Sequence, residues 1–162
     1  NRLKISMDKN GDIAKKGHIN NKVKEKTLDL FKKNFQTISF DRSNLDKICL
    51  SYMSSLDTKD ALATLIDIIT EIIYIKVKKY NLKKIIVTGG GRKNQVIVKS
   101  LQSKVAAQVL IAENIDLDGD SLEAEAFAYL AVRSVLGKPY TFKNTTGVIK
   151  SSSGGILFYY KD

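Results

Sequence analysis

The chain has 162 residues, 43% hydrophobic and 27% charged, with 10 Gly and 1 Pro. These proportions fit a folded globular domain and exclude collagenous, low-complexity and disordered classes. The 27 Lys and Arg against 17 Asp and Glu leave a net charge of +10, which raises a polyanion as a possible partner. Only Arg2, Arg42, Arg92 and Arg133 are arginines, and no helix-turn-helix or ribonucleoprotein pattern accompanies them. The charge therefore reads as solvated lysines rather than as a nucleic-acid interface.

A single cysteine, Cys49, and a single histidine, His18, exclude an internal disulfide and a Cys/His metal site. Cys49 within Lys47-Ile48-Cys49-Leu50 reads as a small buried hydrophobe in a reducing compartment. The longest apolar-rich run, Leu62 to Val77, carries Asp67, Glu71 and Lys76, so it does not supply the roughly 20 apolar residues that span a bilayer. The length suits one domain over residues 1–162. The chain opens on Asn1 without a signal-peptide pattern, and the expectation is a piece of a longer protein.

In chain order, Leu3 to Ser6 alternate weakly, and Asp8-Lys9-Asn10-Gly11-Asp12 has turn composition. Val23, Thr27, Leu28, Phe31 and Phe35 predict an amphipathic helix over Asn20 to Phe35, followed by a polar stretch from Gln36 to Asn44. The strongest helix is predicted over Asp60 to Tyr80, capped by Asp57 or Thr58, with a broad face of Ala61, Leu62, Leu65, Ile68, Ile69, Ile72, Ile73 and Val77. A strand from Lys84 to Thr88 stops at Gly89-Gly90-Gly91. Then come a helix from Asn94 to Lys104, a strand over Val105 to Ala112 and a helix over Ser121 to Leu136. Asp120 is the expected N-cap of that last helix, with Glu123 reciprocating, and Gly137 and Pro139 stop it. A β-like run, Ile156 to Tyr160, ends the chain. Alternating helices and strands predict an α/β fold around a mainly parallel sheet.

A strand that ends in three glycines and opens a helix presents bare N–H groups to an anion, and so suits a nucleotide phosphate. The segment Gly89-Gly90-Gly91-Arg92-Lys93-Asn94 matches neither the dinucleotide fingerprint nor the Walker loop, and a tight strand-to-helix turn explains it equally. Glu123 is either half of a capping box or a ligand contact among the small residues Ala124, Ala126, Ala128 and Ala131. Asp116, Asp118 and Asp120, like Asp8 to Asp12, fail the calcium-loop rule at its sixth and twelfth positions. His18 lacks a Ser or Cys partner at a recognisable spacing and reads as a surface residue. Thr145-Thr146-Gly147 is a loop with hydroxyls to offer.

Taken together, several segments resemble, in order, the C-terminal half of the anhydro-N-acetylmuramic acid kinase family. They are Asp8 to Ala14 with Gly17, Asp60 to Leu65, Thr88 to Asn94, Gly119 to Ala131, Leu136 to Pro139 and Thr145 to Gly147. Leu122-Glu123-Ala124-Glu125-Ala126-Phe127-Ala128 is the specific block. The resemblance implies an incomplete C-terminal lobe of an actin-like (RNase H-like) sugar kinase fold. It also implies cytoplasmic cell-wall recycling, in which ATP and Mg2+ serve to open and phosphorylate 1,6-anhydro-N-acetylmuramic acid to N-acetylmuramic acid 6-phosphate. By the same resemblance Gly89, Gly90, Gly91 and Asn94 hold ATP and Glu123 contacts the anhydro sugar, while Thr64 and Thr145 to Gly147 match positions without an assigned role. The family's catalytic Asp falls upstream of Asn1, so no catalytic residue is expected in this chain. Its implied partner is an N-terminal lobe in cis or in trans, with a homodimer possible. The alternative is an inactive remnant, or a basic module that binds a polyanion or a partner. The loop Gln36 to Arg42 departs from the family's Pro-Lys-Ser stretch.

Overall fold

A computed structural model describes residues 7–34 and 51–159 of the chain. The expectations for Leu3 to Ser6, Phe35, the Gln36 to Asn44 stretch, Cys49 and Tyr160 lie outside those residues. Two compact units are present, Asn1–Leu117 and Asp118–Asp162.

In the first unit, the Asp8 carboxylate accepts the main-chain N–H groups of Ile13 (2.9 Å) and Ala14 (3.0 Å) and so closes the predicted turn. Helix α1, Asn21–Asn34, begins where Asn20 Oδ1 accepts the Val23 amide at 3.0 Å. Helix α2, Thr58–Lys79, is capped by Asp57, which accepts from the Lys59 amide. Leu28 and Phe31 of α1 pack with Met53 and Ile68 to form one cluster. Further along α2, Val77 joins Val105 and Ala107 in a second, which seats the sheet.

Strands β1, Lys84–Val87, and β2, Gln108–Ile111, pair in parallel with Lys84 opposite Gln108 and Val87 opposite Ile111. The parallel sheet follows the α/β expectation. Strand β2 is shorter than the predicted Val105 to Ala112 because Val105 caps helix α3, Gln95–Lys104, and Val105 and Ala107 are core residues of the connection. Helix α3 is the crossover between the strands.

The predicted apolar face of α2 supplies the buried Ile68 and Val77, and polar residues it did not include are buried beside them. Thr64 and Thr70 are fully buried, Asp67 nearly so, while Leu62, Leu65 and Ile69 are half-buried. Partners on α1, on the residue before α1 and on α3 account for the polar burial. Thr64 Oγ1 accepts the Asn20 amide at 2.9 Å, Thr70 Oγ1 lies 2.9 Å from Ser100 Oγ, and Asp67 takes Lys24 of α1 at 2.6 Å and Lys104 of α3 at 2.7 Å. A buried polar group costs little once it is paired.

In the second unit, helix α4 spans Leu122–Val135. The expected N-cap, Asp120, stands one residue before the observed one. Ser121 is the N-cap, the Ser121 hydroxyl donates to Glu125 at 2.6 Å, and the Asp118 carbonyl accepts the Ser121 and Leu122 amides. The helix begins one residue later than the spacing suggested, and the Asp118 carbonyl serves its start. Gly137, at φ +63, ends it as predicted. Beyond it Thr141 and Ser152 form an isolated antiparallel bridge, and Thr145 and Thr146 lie in a single helical turn, Lys143–Thr146. The β-like tail is not a strand over its described residues. Ile156 and Phe158 are 79% and 85% exposed, and a strand needs a neighbour to satisfy its backbone.

Candidate functional site

The site grows from the way β1 ends. Val87 is the last paired residue, and Gly89 then adopts φ +61, ψ −162, a conformation essentially reserved for glycine. The chain passes through one 3-10 turn, Gly90–Lys93, into α3. Asn94 is the N-cap of α3, its Oδ1 accepting the amides of Val96 (3.0 Å) and Ile97 (3.3 Å). Asn94 thus shapes the helix N-terminus that an anion would meet, and its carbonyl-type oxygen is committed to the helix.

Gly90 and Gly91 differ from Gly89. Neither has a positive φ, and a Cβ at either would meet nothing within 4 Å. The fold therefore places no demand for glycine at these two positions. What glycine leaves there is bare, approachable backbone beside a helix N-terminus, the arrangement that phosphate-binding turns use.

Beside the turn lies an open cavity of about 510 Å³, whose lining includes Lys93, Gln95, Val98, Lys99 and Ile111. Arg92 was not singled out in the sequence and proves to be turned inward, its side chain 5% exposed. Its Nε donates to Glu113 Oε1 at 2.6 Å and its Nη1 donates to the Gly89 carbonyl at 2.8 Å. Only packing reveals this structural role, since nothing in the turn's composition beyond the residue type itself separates it from a surface cation. The lone Arg among surrounding lysines was the available signal, since Arg is the cation suited to burial.

The structure therefore brings Gly89, Gly90, Gly91 and Asn94 together on one turn of the first unit. Glu123 belongs to the second unit, on the exposed first turn of α4, and its side chain has no hydrogen bond or ion pair among the described residues. Within that unit, the Asp120 amide, donating to the Asp118 carboxylate at 2.9 Å, holds the Asp118 carboxyl below its ordinary value. In the first unit, burial would push the Asp67 carboxyl up. Hydrogen bonds and charge from Lys104 and Lys24 outweigh burial and hold it lowered. The His18 side chain is 95% exposed, and its amide donates to Asp60 at 2.8 Å, which fits the surface reading. Among the described residues no group of three or more His, Cys, Asp or Glu is placed to hold a metal. No helix among them is long and apolar enough to cross a membrane.

Comparison with known proteins returns one family model, anhydro-N-acetylmuramic acid kinase, matched over residues 2–160. Proteins of that name share 36% identity with this chain in Pelagibacter ubique, over 94% of the chain and 43% of the relative. In Roseobacter denitrificans the identity is 36% over 98% and 42%, and in Zymomonas mobilis 34% over 96% and 42%. The chain thus spans less than half the length of the curated relatives it matches. Matched nearly end to end by the family model, at about a third identity to its members, the chain belongs to the anhydro-N-acetylmuramic acid kinase family.

Proposed function

We propose that residues 1–162 form a single domain, the C-terminal half of an ATP-dependent sugar kinase with an actin-like lobe. Its reaction is opening of the 1,6-anhydro ring of anhydro-N-acetylmuramic acid and phosphorylation to N-acetylmuramic acid 6-phosphate, in cytoplasmic cell-wall recycling. Gly89, Gly90 and Gly91 offer the phosphates bare backbone, Asn94 sets the direction of the α3 N-terminus, and the adjoining cavity gives the rest of the nucleotide room. Glu123 contacts the anhydro sugar. The observation that carries this reading is the pair Gly90 and Gly91, which the fold does not require and a closely approaching phosphate does.

A kinase magnesium ion is held largely by the nucleotide's phosphates and by water, and no magnesium ligand is assigned to this chain. Phosphoryl transfer depends on positioning and charge stabilisation across a complete cleft. The 162 residues alone are therefore inactive, and the remaining lobe is supplied in cis or in trans.

The test is a titration of the chain with ADP and Mg2+, followed by amide chemical shifts. Shifts confined to residues 89–98, weakened about tenfold by Gly90→Ala, support the reading, a lost close contact being worth about 1.5 kcal/mol. Absence of binding by the unmodified chain overturns the nucleotide assignment. The net charge of +10 favours a second reading, a basic polyanion-binding module. Heparin binding that collapses between low and physiological salt, with no response to nucleotide, would favour that module.

A further inference from the structure

We infer that Glu113, at the end of β2, is a positioning residue for the glycine turn after β1, acting through Arg92; the inference rests on the nucleotide reading of that turn. The sheet register is the starting point. Val87 stands opposite Ile111, so the parallel strands end level. The turns that leave them, Gly90–Lys93 and Ala112–Ile115, are joined by the Arg92 side chain. Its Nε donates to Glu113 at 2.6 Å and its Nη1 to the Gly89 carbonyl at 2.8 Å. One guanidinium thus ties the second turn to Gly89, which opens the first in a conformation that only glycine readily adopts.

Taking a guanidinium out of water is costly unless a carboxylate meets it in good geometry. Glu113 supplies that carboxylate, on a turn that is itself held in place. Ala112 is 0% exposed, and Asn114 Oδ1 accepts the Ile111 amide at 2.9 Å. Of the main-chain bonds of the glycine turn, that from the Arg92 amide to Gly89 is long at 3.3 Å, and that from the Asn94 amide to Gly91 is an ordinary 3.1 Å. Glu113 therefore sets the direction in which the bare N–H groups point without contacting the ligand. The Glu113 side chain is 44% exposed at the rim of the cavity, so its replacement disturbs little packing.

The experiment compares the full chain with Glu113→Ala, Glu113→Gln and a control in the same cavity, Lys99→Ala. Two readouts are used: hydrogen exchange of individual amides without ligand, and affinity for ADP with Mg2+. A charge-assisted hydrogen bond is worth enough to change an equilibrium about tenfold. Glu113→Ala is expected to speed exchange at the Arg92 and Asn94 amides by about that factor, to leave Val98 to Lys104 unchanged, and to weaken ADP binding by a similar factor. Glu113→Gln gives a smaller change of the same pattern and carries the comparison if Glu113→Ala fails to fold. Lys99→Ala leaves the exchange pattern unaltered. Exchange at Arg92 and Asn94 that stays at the unmodified rate, or that rises equally throughout α3, overturns the inference. A chain that binds no ADP before mutation counts against the nucleotide reading instead, and the exchange rates then decide the Glu113 role alone.

Discussion

Gly11 lies directly against the side chain of Asn94. A Cβ at Gly11 would press on Asn94 Oδ1 and come within 2.6 Å of Val96 Cγ2, and Gly11 also holds φ +76. The Asp8 to Asp12 turn thereby packs on the capped end of α3, next to the glycine turn. Gly11→Ala should cost about 2 kcal/mol, from steric conflict and a left-handed backbone together. Gly90→Ala, in open space with no positive φ, should stay within about 0.5 kcal/mol. Urea midpoints of the two variants check the contrast, and equal losses would show that the turn does not rest on Asn94.

Asp67 makes stability depend on acid pH. Its carboxyl is lowered in the folded chain from the ordinary 3.8, because Lys104 and Lys24 outweigh the opposing effect of burial. Unfolded chains then bind the proton more readily. The contribution is complete above the ordinary value and is lost as pH falls through the lowered folded value. Asp67→Asn should remove that part of the acid slope and cost about 1 kcal/mol at neutral pH, since Lys104 keeps Glu71 at 3.1 Å as a partner. Unfolding free energies from neutral pH down to about pH 2 measure both, and an unaltered slope in Asp67→Asn would place the proton elsewhere.

Glu123 is expected to be silent in stability and telling in binding. With an exposed side chain that has no hydrogen bond or ion pair among the described residues, Glu123→Ala should leave the unfolding midpoint within about 0.5 kcal/mol of the parent. In a complete kinase that includes this segment, the same change should weaken affinity for the anhydro sugar far more than for ATP. A loss of stability, or equal loss of both ligands, would return Glu123 to a helix-capping role.

The sequence by itself determined the elements whose causes are local. Period 3.6 over 21–34 and 58–79, the β-branched run at 84–87, the three glycines and the stop at Gly137 each act within a few residues, and the helices and strands follow them. The family, too, was legible, because the Leu122 to Ala128 block and the glycine turn are runs of adjacent residues. Long-range partners decided the rest. Ser121 took the N-cap position predicted for Asp120, and Thr64, Asp67 and Thr70 became buried beside Ile68 because Lys24, Lys104, Asn20 and Ser100 arrive there from other segments. Arg92 and Glu113 stand 21 residues apart and meet only because parallel pairing ends the two strands level. Spacing along the chain records the periodicity of one element, whereas a charge or hydroxyl finds its partner through the packing of several.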